Sequence, residues 1–329
     1  MSLSEQDISY SVIVPAYQAA DVVGACVAAL ARQTVPRERY EILVVDDGST
    51  DATAAEAERA GADRVIRLAQ NGGPSVARNA GIAAAHGDIL LFTDSDCVPR
   101  PEWLALMTAP FDDPQIMGTK GTYRTLQPAL LARLVQLEFE IRYERMRGMP
   151  FIDFIDTYAA AYRRSLLVEY GGFDTAFPAA EDVDLSFRLA KAGHRLLFVP
   201  DAWVTHRHPA TLSAYLLRKA RFGYWRAFLY MRYPEKIAGD THTDPSLKVQ
   251  FALVALIGLL VVGGAFWPLL WPAAAILLLW FVLTTLSFVR WAWPRDRAVA
   301  LAWPAVTFLR VLLQGGGLAL GLLLRLARR

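Results

Sequence analysis

Two carboxylates one residue apart, in Asp94-Ser95-Asp96, follow the apolar run Ile89-Leu90-Leu91-Phe92 and precede Pro99 and Pro101. Like charges about 4 Å apart repel by roughly 1 kcal/mol in water and about 4 kcal/mol at an effective dielectric of 20, so a pair held at a strand end calls for a cation between them. A divalent ion with open coordination positions is how many proteins hold a diphosphate. An isolated Asp-x-Asp also serves as a turn or helix cap, so the pair takes its meaning from its surroundings. Asp46-Asp47-Gly48-Ser49 stops a second apolar run, and Glu181-Asp182-Val183-Asp184 opens a stretch of helical spacing. A carboxylate facing a bound diphosphate could take the proton of an acceptor hydroxyl as that oxygen attacks. Acids in a first helical turn also suit the helix dipole.

The elements that must position these groups read as alternating strands and helices. Residues 10–14, 41–45, 64–68 and 89–92 are short apolar runs, and residues 22–30, 51–59 and 75–85 repeat small and apolar residues at helical spacing. The alternation predicts an α/β fold with a doubly wound, mostly parallel sheet. Ligands gather at the carboxyl ends of such strands. Pro15-Ala16-Tyr17, Asp46-Asp47 and Asp94-Ser95-Asp96 all fall there. No Gly-x-Gly-x-x-Gly follows the first strand and no Gly-Lys-Ser/Thr loop is present, which leaves the phosphates to a metal.

Val12-Ile13-Val14-Pro15-Ala16-Tyr17, Val44-Val45-Asp46-Asp47-Gly48-Ser49-Thr50-Asp51, Ala77-Arg78-Asn79-Ala80-Gly81, Asp94-Ser95-Asp96 and Glu181-Asp182 resemble, in order and separation, the family 2 glycosyltransferases. The resemblance covers about residues 8–210 and implies the nucleotide-sugar-binding α/β domain called GT-A. It also implies that Pro15, Ala16 and Tyr17 line the donor site with Pro15 and Tyr17 at the nucleobase, that Asp47 bonds the base, and that Asp46 shapes the ribose site. Asp94, Ser95 and Asp96 would meet the donor diphosphate, with Asp94 and Asp96 holding Mg²⁺ or Mn²⁺. Asp182 would be the general base of an inverting single displacement, with Glu181 orienting the acceptor. The competing reading of Asp182 is a cap or a salt bridge to Arg188. Arg78 and Asn79 either reach the nucleotide or pack their helix. His206, in Val204-Thr205-His206-Arg207-His208, is either a metal or phosphate contact or a structural histidine. The processive synthases of this family carry Gln-x-x-Arg-Trp where this chain has Leu216-Leu217-Arg218-Lys219-Ala220-Arg221-Phe222-Gly223-Tyr224-Trp225, so one sugar per encounter is expected.

Hydrophobic residues make up 54% of the chain, and the excess lies in its last third. Residues 249–267 and 269–289 carry no charge and are near the ~20 residues that cross a bilayer. They predict a transmembrane hairpin turned at Trp267-Pro268-Leu269-Leu270-Trp271-Pro272. Residues 301–324 contain Arg310 and Gln314. Arg at a helix centre costs about 3 kcal/mol on the insertion scale, so this stretch either spans or lies in the interface. Basic residues before the first span and after the second put those ends in the cytoplasm. The expected layout is a cytoplasmic domain over 1–235, a linker over 236–248 and a membrane region over 249–329, in a multi-pass protein of the cell inner (plasma) membrane.

Residues 213–232 mix aromatic residues with arginines and read as a membrane-surface helix; residues 128–147 are a second amphipathic piece or a core helix. Both point to a lipid-linked or glycolipid acceptor beside a UDP-, GDP- or dTDP-sugar donor. A net charge of +2, from 34 basic and 32 acidic residues, gives no bulk reason to expect nucleic acid. Cys26 and Cys97 lack metal-ligand spacing and read as packed thiols. The alternatives are a noncatalytic membrane-anchored scaffold of the same fold and a nucleotidyltransferase. The latter would bring a Gly-rich basic loop after the first strand, which Pro15-Ala16-Tyr17-Gln18-Ala19 is not.

Overall fold

The computed structural model describes residues 8–177, 179–209, 211–241 and 243–327. These divide into two compact units, one holding the chain up to Leu126 together with Tyr143–Arg207, the other Gln127–Arg142 and the chain from His208 onward. Within the second unit the helix that ends shortly before residue 235 packs on the C-terminal helix.

The first unit is built on an eight-stranded sheet. In chain order it runs β1 (Tyr10–Ala16), α1 (Val23–Leu30), β2 (Tyr40–Asp46), α2 (Thr53–Arg59), β3 (Arg64–Arg67), α3 (Pro74–Ala84), β4 (Ile89–Phe92), β5 (Cys97–Pro99), α4 (Trp103–Thr108) and β6 (Ile116–Arg124). After α5 (Leu130–Arg147) come β7 (Ala160–Arg163), α6 (Arg164–Glu169), α7 (Glu181–Lys191) and β8 (Arg195–His206). The strand order is β3-β2-β1-β4-β7-β6-β8-β5. The four strands nearest the N-terminus are parallel, and β2 is buried along its whole length, as a strand covered on both faces must be. The expectation of a mostly parallel sheet holds for this half. Farther on β7 pairs antiparallel with both neighbours and β5 antiparallel with β8, so the sheet is mixed. Those two strands are four and three residues long, too short to leave a periodic pattern.

Register decides where the chemistry goes. Ala16 pairs with Asp46 and Ile13 with Phe92, so the residues after β1, β2 and β4 emerge along one sheet edge. Val12, Ile13 and Val14 are buried with Val23, Cys26, Val27 and Leu30 of α1. Phe92 meets Tyr162 and Phe173 edge-on, at 6.2 and 5.4 Å between centroids. Truncating such a ring costs about 3–5 kcal/mol, so the strand end that carries the acids is rigidly held.

The second unit contains the part of α5 up to Arg142, α8 (Leu212–Arg232), α9 (Ser246–Gly264), α10 (Leu270–Ala292) and α11 (Arg297–Leu326). The last three are each long and apolar enough to cross a membrane. Leu253, Val254 and Ile257 of α9 form one core with Phe281 and Val311. Leu134 and Leu137 of α5 form another with Phe288, Ala292, Val299, Ala300 and Trp303, so this stretch of α5 is a core helix. Asp296 caps α11 by accepting from the Val299 N–H at 3.1 Å.

Candidate active site

The loops after β1 and β2 are laced together. Gln18 donates from its backbone N–H to Ser49 Oγ at 2.9 Å and from Nε2 to Thr50 Oγ1 at 2.8 Å, and the Ala19 N–H donates to Thr53 Oγ1 at 2.8 Å. Asp46 Oδ1 accepts the Ser49 N–H at 3.0 Å. Both oxygens of buried Asp47 are engaged, one by the Gly72 N–H and one by the Gly73 N–H, each at 2.8 Å. Charge-assisted bonds of this kind are worth roughly 1.5–3 kcal/mol each. Asp47 therefore fixes the loop ahead of α3. Tyr17 is 49% exposed beside buried Ala16 and half-buried Pro15, leaving its ring free to stack.

Arg78 is the hub. It is buried on α3, donating from Nη1 to Glu181 Oε1 at 2.6 Å and from Nη2 to Asp94 Oδ1 at 3.0 Å. Its guanidinium lies 5.6 Å over the Phe173 ring. Burial works against its charge, but Glu181, then Asp94 and Asp182, outweigh it and hold it ionised. One cation thus ties the acid of the β4 end to the acids of α7. Asn79 does the packing: its Nδ2 donates to Phe173 O at 2.8 Å, its Oδ1 accepts the Phe173 N–H at 2.9 Å. Gly172 beside it has φ +65°, and an added Cβ there would stand 2.4 Å from Asn79 Oδ1, so only glycine fits.

Glu181 is shared between Arg78 and the Ala180 N–H, at 3.0 Å. Ala180 has φ +115°, a conformation that costs of order 1–3 kcal/mol and clusters at functional sites. Asp182 is partly buried, and its Oδ1 accepts the Val183 N–H at 2.8 Å. Burial first and the Glu181 charge second push its pKa up to about 7, against the pull of Arg78. Arg188 pairs with Asp184, at 2.9 Å, and with the carbonyls of Tyr170 and Gly172.

Pairing of β5 with β8 sets Cys97 opposite His206, which brings His206 Nδ1 to 3.3 Å from Asp96 Oδ2. Ligand atoms of Asp96, Cys97 and His206 lie within 4.8 Å of one another. The Asp96 side chain is 39% exposed. Burial raises its pKa but the His206 hydrogen bond and charge lower it further, so it is ionised at neutral pH. Burial, then Asp94 and Asp96, push the Cys97 thiol well up, and a protonated thiol is a poor ligand. The effective donors are a carboxylate and an imidazole, with Asp94 two residues away, and this set suits a divalent ion such as Mn²⁺ better than a thiophilic one. His206 is stacked on Tyr123, 4.5 Å between centroids, which stacks on Tyr158. His208 lies in the second unit, bonded to Gln127 and Gln136.

One group has no counterpart in the sequence reading. Lys120 of β6 is fully buried, paired with Asp156 and 3.3 Å from Tyr158 Oη, and its charge lowers the Asp182 pKa slightly. A lone lysine inside the buried strand 116–124 was the available signal.

A mixed sheet with laced loops, paired acids and an acidic helix start at one edge defines an α/β domain of the GT-A type. Residues 11–171 match the family model "Glycosyl transferase family 2". Relatives of the chain include the pre-mycofactocin glycosyltransferase of Mycobacterium tuberculosis, 34% identical over 214 residues that make up 60% of this chain and 44% of that protein. Another is glycosyltransferase AglE of Haloferax volcanii, 28% identical over 64% of this chain and 69% of that protein. The chain thus spans less than half the length of the mycobacterial relative. Among solved structures, mannosyltransferase PcManGT from Pyrobaculum calidifontis, in complex with GDP-Man and Mn²⁺, superposes with a TM-score of 0.60 over 96% of this chain and 88% of that one. At 21% identity that likeness shows the fold.

Proposed function

We propose that the protein moves one sugar at a time from a nucleoside-diphosphate sugar to a hydroxyl or phosphate oxygen of a lipid-linked acceptor, at the cytoplasmic face of a membrane and with inversion at the anomeric carbon. Arg78 carries the reading. It joins the Asp94 end of the sheet to Glu181, next to a carboxylate, Asp182, whose pKa of about 7 suits a base working near neutrality. In the reaction the acceptor proton passes to Asp182 and the acceptor oxygen bonds to the anomeric carbon. The carbon–oxygen bond to the diphosphate breaks, and the nucleoside diphosphate departs with the electron pair. Asp96 and His206, with Asp94, would hold Mg²⁺ or Mn²⁺, which would offset the charge of the departing diphosphate.

The complex of PcManGT with GDP-Man and Mn²⁺ makes that donor and ion the first to try. A lipid-linked acceptor, such as a polyprenyl phosphate or a glycolipid, is supported by the apolar hairpin and by α8, where exposed Leu217 and Phe222 alternate with exposed Arg218 and Arg221. The test is binding and turnover of UDP-, GDP- and dTDP-sugars by the detergent-solubilised protein with Mn²⁺, Mg²⁺ or EDTA, offered lipid extracts or soluble saccharides. Metal-dependent transfer into the lipid fraction is expected. Labelling of the soluble pool alone would remove the lipid acceptor, and no binding under any metal would favour a noncatalytic scaffold.

A further inference from the structure

Resting on the reading that Asp96 and His206 hold the divalent ion, we propose that Lys120 is a positioning residue for that site. With Asp156 and the hydroxyls of Tyr143 and Tyr158 it anchors a stacked column, Tyr158 on Tyr123 on His206, which sets the plane of the metal-facing imidazole.

Lys120 is a buried cation that neither the donor loops nor the acids of α7 put to use. It lies fully buried in β6, paired with Asp156. Its Nζ is 5.0, 5.3 and 6.0 Å from the ring centroids of Tyr158, Phe154 and Tyr143, within the range at which a cation is drawn to an aromatic face. A buried ion pair is weak grounds for stability, since apolar residues of similar volume often do as well or better. What the pair holds in place gives it a use instead.

Lys120 Nζ donates to Tyr158 Oη at 3.3 Å, Tyr158 Oη lies 2.7 Å from Tyr143 Oη, and Tyr143 Oη accepts the Tyr123 N–H at 2.9 Å. The rings of Tyr158 and Tyr123 stack with centroids 3.3 Å apart and planes 17° apart, and Tyr123 stacks on His206 at 4.5 Å and 18°. One end of the column is thus tied to an ion pair and to the backbone of β6. The other end is the imidazole whose Nδ1 stands 3.3 Å from Asp96 Oδ2. Gripped on its face by Tyr123 and on its edge by Asp96, that ring has its plane fixed. Groups that orient a metal-ligating histidine tune the site almost as strongly as the ligands do.

The strand is irregular where this requires it. Successive side chains of a strand point to opposite faces, so Lys120 and Tyr123, three positions apart, would ordinarily face apart and could not both meet Tyr158. Between them the pairing of β6 with β8 slips: Lys120 stands opposite Phe198 but Thr122 opposite Trp203. Gly121 lies in the slip, and a Cβ added there would overlap Ala202 O. Such irregularities re-aim side chains and gather beside active sites. Just past this one, β8 ends on His206.

The test measures Mn²⁺ binding to the full chain in detergent, below each variant's thermal midpoint, by loss of the free-ion electron-spin-resonance signal. Nitrogen modulation of the bound-ion spin echo serves as the signature of the imidazole. Tyr123→Leu removes the ring under His206, and Lys120→Met with Asp156→Asn removes the pair without stranding a charge. Each is expected to weaken Mn²⁺ binding by about 10–100-fold and to diminish the nitrogen modulation, while Tyr123→Phe, which keeps the ring, restores both. Unchanged affinity and modulation in the double variant overturns the proposal, whether or not Tyr123→Leu weakens binding. Should the larger changes unfold the chain, Tyr158→Phe keeps every ring and charge and loses only the anchoring hydroxyl: weaker Mn²⁺ binding supports the proposal, and unchanged binding and modulation overturns it. If His206→Gln binds Mn²⁺ as tightly as the unaltered protein, the metal reading falls and the proposal with it.

Discussion

The two units each bury an acid–base cluster, and the clusters are built to opposite ends. In the second unit Glu138 faces Lys219, Arg310 and Tyr215. Burial raises its pKa, but Lys219, Arg310 and Arg142 together carry it far below the carboxylate range. In the first unit the acids outnumber the cation: Arg78 serves Asp94 and Glu181, and Asp182 is left with a raised pKa. A carboxylate saturated by cations is a structural tie. One that neighbouring acids have destabilised is ready to accept a proton.

The sharpest way to break this contrast is Asp182→Asn, which keeps the shape and removes the proposed base. Turnover is expected to fall by about 10²–10⁴-fold, with donor binding unchanged in a nucleotide-sugar titration. Asp96→Ala should instead abolish the metal-dependent part of binding. Equal loss of binding in both would mean that Asp182 holds the donor. Removing either hub cation or its opposite number separates stability from chemistry. Arg78→Met and Glu138→Gln each strand buried charge, and each should lower stability by about 3–5 kcal/mol, read as a fall in the thermal midpoint in detergent. Only Arg78→Met should also alter the pH profile.

That profile follows from the sign of the Asp182 shift. On the proposal that Asp182 is the base and works deprotonated, kcat/KM should rise with pH, about tenfold per unit, and level off above about 7. Because Arg78 pulls the Asp182 pKa down, Arg78→Met should move the rise to higher pH, while Glu138→Gln leaves its position alone. A raised folded-state carboxylate pKa also means that ionised Asp182 costs stability above its unfolded value, near 4. Asp182→Asn should therefore stabilise the protein more at pH 8 than at pH 5, measurable as a difference in thermal midpoint.

How much of this was legible in the sequence depends on how far apart the partners lie. The acids after β2 and β4 stand directly behind apolar runs, so local pattern located them, and the nucleotide-sugar fold implied by the motifs is the fold observed. The joining of Asp94 to Glu181 runs through Arg78, 16 positions from the one and 103 from the other, and could not be chosen over simple packing of α3. His206 reaches Asp96 only because three-residue β5 pairs with the end of β8, and no periodicity announces a strand of that length. Lys120 and Asp156 are as silent, since neither has its partner at helical or strand spacing. The arginine that made residues 301–324 ambiguous owes its place to Glu138 on a distant helix.

The smallest expected effect concerns Cys97, and it tests what kind of cluster the metal-facing group is. By position alone its sulfur belongs with Asp96 and His206, 3.8 Å from Asp96 Oδ1 and 3.9 Å from His206 Nδ1. Yet its environment is negative and buried, which holds the proton on the sulfur, and a thiol that keeps its proton does not bind a hard ion. His206→Gln should weaken Mn²⁺ binding by at least the roughly 10–100-fold seen when a ligand's support is lost, and Cys97→Ala by less than about tenfold. Cd²⁺ sharpens the contrast, since it gains most from a thiolate: if Cd²⁺ binds the unaltered protein far more tightly than it binds Cys97→Ala, the sulfur is ionised and the site is built for a softer ion than a diphosphate requires.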